Sequence, residues 1–115
     1  MKYKTSELEG DRLDVAVAKA EGWAEQEVAA MLKAGDAADR YFSAASWGLA
    51  GPIIARERID LESPELEGDP WGAIAWGTKA QEPGGYCATA SGPTPLIAAM
   101  RAYVASKFGE EVELP

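Results

Sequence analysis

The sequence predicts an α+β domain: a short β-hairpin or small antiparallel sheet packed by about three to four helices. Three observations carry that expectation. A fully capped apolar helix fits residues 95–108. Two further helix patterns occupy the first third of the chain. Two weakly alternating segments flank the turn signal Pro83-Gly84-Gly85. With 115 residues, no internal repeat and no low-complexity linker, residues 1–115 are expected to form a single domain.

The elements follow in chain order. Ser6 and Glu9 have the spacing of a capping box, and Asp11 with Asp14 offers a second helix start. Leu13, Ala16, Val17 and Ala20 then recur at helical spacing, and Gly22 suits the left-handed residue that ends a helix, with Trp23 as its apolar partner in the core. A second helix fits Ala24 to Ala34, with Glu25 and Glu27 early and Val28, Met31 and Leu32 on one face, before Gly35. Tyr41 and Phe42 suit a short strand. Ser46 is placed to cap a helix that either runs through Gly48 and Gly51 with a kink or begins at Pro52 and continues to about Arg58. Residues 62 to 70 are acidic, proline-bearing and aperiodic, hence a loop.

Trp71 to Trp76 and Tyr86 to Ala90 read as the strands of a hairpin around Gly77 to Gly85. Thr94 is the N-cap and Pro95 the first residue of the last helix. Leu96, Ile97, Met100, Tyr103, Val104 and Phe108 form its apolar stripe, and Gly109 ends it. The tail Glu110 to Pro115 alternates, with Val112 and Leu114 facing one way. It suits an edge strand or a solvated acidic end.

Composition narrows the function. Lys and Arg number 11 against 19 Asp and Glu, a formal charge of −8, so direct nucleic-acid binding by counterion release is not expected. There is no histidine, which removes histidine triads, the usual zinc sites and the commonest general base. The single Cys87 points to a reducing compartment and, on a strand, to a small buried hydrophobe. No apolar run approaches the roughly 20 residues that span a bilayer, and no signal-peptide pattern opens the sequence, so no membrane partner is expected. The stretch Glu62 to Asp69 lacks the spacing of a calcium loop, and no metal or cofactor is expected. Alanine supplies 22 residues, whereas Leu, Ile, Val and Phe together supply 20. A core that thin leads to the expectation that a homo-oligomer or a bound ligand adds stability.

Several residues are candidates for binding. Ser91, Gly92 and Thr94 form a strand-to-helix junction where the helix dipole favours a phosphate or carboxylate. Pro93 and Pro95 remove two donors there, and the competing account is an ordinary connection whose glycine permits the turn. Trp47 and Trp71 stand beside glycines and suit stacking on a planar ring, with core packing as the alternative. Tyr86 offers another ring to that site. Arg56 is the candidate charge, and Arg40, Arg58 and Arg101 are further cations that equally suit a solvated helix surface. No nucleophile–base pair is visible, so catalysis is not expected.

Four segments carry a family resemblance: the opening Met1 to Leu8, the helix Leu13 to Trp23, Trp47 with Gly51-Pro52-Ile53-Ile54, and Gly92 to Gly109. Covering about half of the chain, they resemble the NinX-like proteins of tailed phages and prophages. The resemblance implies an α/β/α sandwich of small-phage-protein type and a non-structural accessory role, in the host bacterial cytoplasm, with no enzymatic reaction attached. By analogy with similar small phage proteins, it suggests a counter-defence sponge. That is an oligomer sequestering a small nucleotide-type immune signal, its phosphate at Ser91, Gly92 and Thr94, Arg56 supplying charge, and Trp47 or Trp71 stacking the base. Where the family carries Ser-Thr-Asp before the tryptophan, this chain has Ala44, Ala45 and Ser46, and residues 24–42 look unlike the family. The alternative is an acidic protein–protein inhibitor of a host nucleic-acid-handling or defence enzyme. Glu62, Glu65, Glu67, Asp69, Glu110, Glu111 and Glu113 would carry it, although such charge also serves solubility.

Overall fold

The computed structural model describes residues 1–34, 47–76 and 87–115. Among them the order is β1 (Lys2–Lys4), a 3₁₀ turn (Thr5–Glu7), α1 (Gly10–Ala20), α2 (Glu25–Ala34), α3 (Trp47–Arg56), β2 (Ile59–Glu62), β3 (Trp71–Ala75), β4 (Ala88–Gly92), α4 (Pro95–Phe108) and β5 (Glu111–Glu113). This is an α+β arrangement: four helices and a small antiparallel sheet of order β2-β3-β4, which α4 and α3 pack against, with a separate antiparallel ribbon, β1-β5.

Helix α4 is the hub. The strands β2, β3 and β4, the 3₁₀ turn, β5, α1 and α3 all pack against it. Leu96, Ala98, Ala99, Met100, Ala102, Tyr103 and Val104 are buried, so α4 is covered nearly all round and not along a single stripe. Its start and end are as the caps predict. Thr94 Oγ1 accepts from Ile97 N at 3.1 Å, Pro95 follows, and Gly109 takes φ +83° beyond Phe108. Alanines stand on both sides of the helix–sheet contact, with Ala73, Ala75 and Ala88 on the strands and Ala98, Ala99 and Ala102 on the helix. Small side chains let backbones approach, which is how an alanine-rich chain builds a packed core.

Local signals account for α1 and α2. Gly22 at φ +93° donates to Lys19 O at 3.0 Å, and Trp23 N donates to Ala18 O at 3.1 Å. These two bonds are a Schellman motif, with Trp23 packed against the core behind it. The expected cap at Ser6 is displaced: Ser6 lies in the 3₁₀ turn, and α1 starts at Gly10 with Glu9 as an N-cap making no side-chain cap bond. Helix α2 begins at Glu25 and buries Val28. Helix α3 begins at Trp47 and contains Pro52, so of the two alternatives the helix running through Gly48 and Gly51 is the one formed, and it does not start at Pro52. The proline's missing N–H and ring are accommodated inside the helix, where Pro52 is exposed.

The strands β1 and β2 exceed the sequence expectations, and the tail takes the edge-strand alternative. Arg58 takes φ +55° and turns the chain from α3 directly into β2, which pairs with β3 from Ile59↔Ala75 to Glu62↔Gly72. The tail becomes β5, paired with β1 through Tyr3↔Val112, and Val112 and Leu114 are buried. The predicted hairpin forms as β3 with β4, from Trp71↔Gly92 to Ala75↔Ala88. Its Gly77 to Gly85 connection lies outside the described residues, as do Tyr41, Phe42 and Ser46.

Candidate functional site

The strand-to-helix junction is engaged in holding the fold. Thr94 Oγ1 is the acceptor for Ile97 N, and Thr94 O accepts from Ala98 N at 3.1 Å. Pro95 has no N–H, which leaves Leu96 as the first-turn donor for an anion. Gly92 is buried against that turn. A Cβ there would lie 2.9 Å from Ile97 Cγ2 and 3.0 Å from Ala98 N, so the glycine is needed for close approach of strand and helix. Ser91 O accepts from Arg101 Nη1 at 2.9 Å, while Arg101 Nε donates to Leu8 O at 2.7 Å. Arg101 is thus a tie between the β4 end and the segment before α1, in place of the solvated charge that its helix position suggests.

Trp71 and Ser91 do come together. They line a groove of about 290 Å³ with Gly72, Glu62, Glu65 and Asp69. The sheet register builds it: Glu62, Gly72 and Ser91 lie in one row across β2, β3 and β4. Gly72 leaves the middle of that row open, with a Cβ there meeting only Glu62 atoms at 3.5 Å. Ser63, Pro64 and Pro70 of the β2–β3 loop complete the wall, and among the described residues no lysine or arginine lines it. Leu66 on the same loop is 70% exposed. Alternation along β3 puts the Trp71 side chain on the α4 face with Ala73 and Ala75, so the open side of the row is dominated by the three carboxylates, which repel phosphate and favour a cation.

Arg56 is elsewhere and is committed. Its Nη2 donates to Glu21 Oε2 at 2.6 Å and to Tyr103 Oη at 3.2 Å, and its Nε donates to Glu57 Oε2 at 2.9 Å. Lys107 Nζ lies 3.6 Å from Glu57 Oε1, and the Tyr103 hydroxyl donates to Glu21. The cluster joins the ends of α1, α3 and α4, and its two cations match its two carboxylates, so Arg56 has no charge left over for a ligand in the Trp71 groove. Burial works to raise the Glu21 carboxyl, but hydrogen bonds from Arg56 and Tyr103 and the nearby positive charges outweigh it and hold Glu21 below its ordinary value. Burial, then the hydrogen bond to Glu21, pushes the Tyr103 hydroxyl well above its ordinary range. Hydrogen bonds to Glu21 and Glu57 raise the Arg56 guanidinium further. A tyrosine in this state is a donor and not a nucleophile.

The remaining candidates are placed apart. Trp47 heads α3, is 55% exposed, and does not line the Trp71 groove. Tyr86 lies outside the described residues. Cys87 is partly exposed just before β4, where the sequence suggested burial. Among the described residues no group of three or more Cys, Asp or Glu side chains is arranged to hold a metal ion, and no helix is long and apolar enough to cross a membrane. The sequence missed the pairing of Arg56 with Glu21, which lies 35 positions earlier, because no local pattern encodes it.

A family model described as Bacteriophage P22, NinX matches residues 4–107. The match runs through residues 24–42, the stretch that looked foreign to the family in the sequence alone. No curated protein matches the chain.

Proposed function

The chain belongs to the bacteriophage P22 NinX family, and on that premise we propose that this phage accessory protein acts by binding, without catalysis, and that its target is a basic surface on a host protein. The observation that carries this reading is the groove at Trp71, which Glu62, Glu65 and Asp69 line and where, among the described residues, no lysine or arginine takes part. A lysine or arginine side chain entering it gains charge-assisted hydrogen bonds. Exposed Leu66 adds apolar contact beside the groove. The charge of −8 steers a basic partner toward the chain and hastens encounter. Host enzymes that handle nucleic acid present such side chains to phosphates, so an acidic occupant competes with their substrate. The host bacterial cytoplasm is where that competition would act.

A second reading keeps the small nucleotide-type ligand, because Trp71 and Ser91 line one groove. There the carboxylates accept from ring amines or ribose hydroxyls. The phosphate would lie outside, held by groups from another copy in a homo-oligomer, since Arg56 and the α4 start are otherwise engaged.

Titration calorimetry with hexa-arginine separates the two. Under the first reading the chain binds the peptide with an affinity that falls as salt rises. A Glu62→Gln/Glu65→Gln/Asp69→Asn triple variant loses that binding, and Thr94→Arg keeps it. If the triple variant binds hexa-arginine as tightly as the parent, the acidic-groove reading is overturned. A rise in melting temperature with a cyclic nucleotide or a cyclic ADP-ribose isomer, abolished by Trp71→Ala, establishes the second reading in its place.

A further inference from the structure

We propose that the outer edge of β4 is a docking strand, to which an extended, basic segment of a partner protein adds as a further strand of the β2-β3-β4 sheet. Among the described residues, the strand order leaves β4 at one edge of that sheet. Ser91 O accepts from Arg101 and therefore points away from β3. Antiparallel ladders alternate with a period of two, so the N–H and C=O of Thr89 point the same way. Among the described residues, Arg101 holds the outward Ser91 carbonyl and no backbone group is bonded to this outer edge, which leaves Thr89 as its open pairing position.

The edge opens into a pocket of about 550 Å³. Cys87, Ala88 and Thr89 form one wall, the β1–β5 ribbon with Ser6 forms the other, and Ala105 of α4 contributes the floor. Both walls are fixed. Helix α4 packs against β4 and β5, and Thr5, 3% exposed, donates its N–H to Glu110 O and its hydroxyl to Gly109 O, each at 2.9 Å. An added strand lies about 4.8 Å from its neighbour and rises about 3.3 Å per residue, and the cleft gives it room beside Cys87, Ala88 and Thr89. Natural sheets blunt exposed edges with lysine, proline or bulges. Here the edge reads Ala88-Thr89-Ala90-Ser91-Gly92, with neither charge nor proline. On the ribbon side Glu110 and Glu111 outnumber Lys4, which with the net charge of −8 selects a basic occupant. The occupant's charge rests on the reading proposed above; its strand conformation does not.

The test follows the Thr89 and Ser91 amides by two-dimensional NMR while acetyl-(Lys-Val)₃-amide or acetyl-(Glu-Val)₃-amide is added. The lysine peptide is expected to shift both amides, and the glutamate peptide neither. Thr89→Pro removes an N–H facing the cleft and no bond to β3, and should weaken the lysine peptide by about tenfold or more. Gly72→Leu fills the Trp71 groove and should leave this binding intact, so failure of the groove and failure of the edge are distinguishable. Should Thr89→Pro lose its fold by circular dichroism, Glu110→Lys/Glu111→Lys replaces it and should reverse the peptide preference. Undiminished binding by a folded Thr89→Pro, equal binding of both peptides, or no amide shift with either overturns the proposal. So does a shift of the same amides with protein concentration alone, which would put a second copy on the edge.

Discussion

Gly92 stands across the β3–β4 ladder from Trp71, and a Cβ on it would fall 2.9 Å from Ile97 Cγ2 and 3.0 Å from Ala98 N. The second neighbour is helix backbone and cannot swing aside. Gly92→Ala should therefore destabilise the fold by about 1–3 kcal/mol, the usual cost of overpacking. Thermal unfolding should fall by several degrees at least. An unchanged midpoint would mean that strand and helix are not held in this close contact.

Thr94 caps α4 through Ile97 N. Thr94→Ala should cost about 1 kcal/mol in a urea titration, and Thr94→Ser should recover most of it because the hydroxyl is kept. Equal losses for the two variants would show that the methyl group, and not the cap bond, carries the effect.

Arg101 spans two carbonyls, Leu8 O at 2.7 Å and Ser91 O at 2.9 Å. A lysine is a single point donor and does not reproduce the planar fork. Arg101→Lys is expected to lose about 1 kcal/mol and Arg101→Met about twice that, leaving both carbonyls without their donor. The denaturant midpoints of the three proteins should fall in that order, and a Met variant as stable as the parent would count against the tie.

The Glu21–Arg56–Tyr103 cluster gives stability two pH limbs. Glu21 is held below its ordinary value of 4.5, so its contribution is present above that pH and is lost as acid carries the carboxyl through its folded value. Tyr103 is held above its ordinary 10.0, so its contribution is present below that pH and declines as alkali ionises the unfolded chain first. Glu21→Gln should remove its share of the acid limb and cost about 1 kcal/mol at neutral pH, a modest figure because half of Arg56 is in water. Tyr103→Phe should flatten the alkaline limb. Melting temperatures across the pH range measure both, and an acid limb unchanged in Glu21→Gln would contradict the assignment.

What the sequence disclosed is what neighbouring residues decide. Thr94, Pro95 and Gly109 delimit α4, Gly22 with Trp23 closes α1, and alternation around Pro83-Gly84-Gly85 announces β3 and β4. The strand β1 was not foreseen because its partner lies at the far end of the chain, with Lys2 opposite Glu113. Four residues of β2 were too few to show a period against the acidic loop that follows. At the candidate site, Trp71 and Ser91 were named from sequence, and the acids that share their groove were named only for the competing account. Bringing the two sets together needed the row Glu62–Gly72–Ser91, which is a property of register. Arg56 was misjudged as a free charge because its neutralising partner, Glu21, belongs to another helix.

The acidic-groove account is tested most directly at the Trp71 indole N–H, followed by NMR while hexa-arginine is added to the parent chain and to Gly72→Leu. A saturable shift of the Trp71 signal, weakened by salt and absent when leucine fills the groove, is the predicted result. A Trp71 signal that stays in place while hexa-arginine binds elsewhere, or that moves with a cyclic nucleotide and not with the peptide, would contradict it.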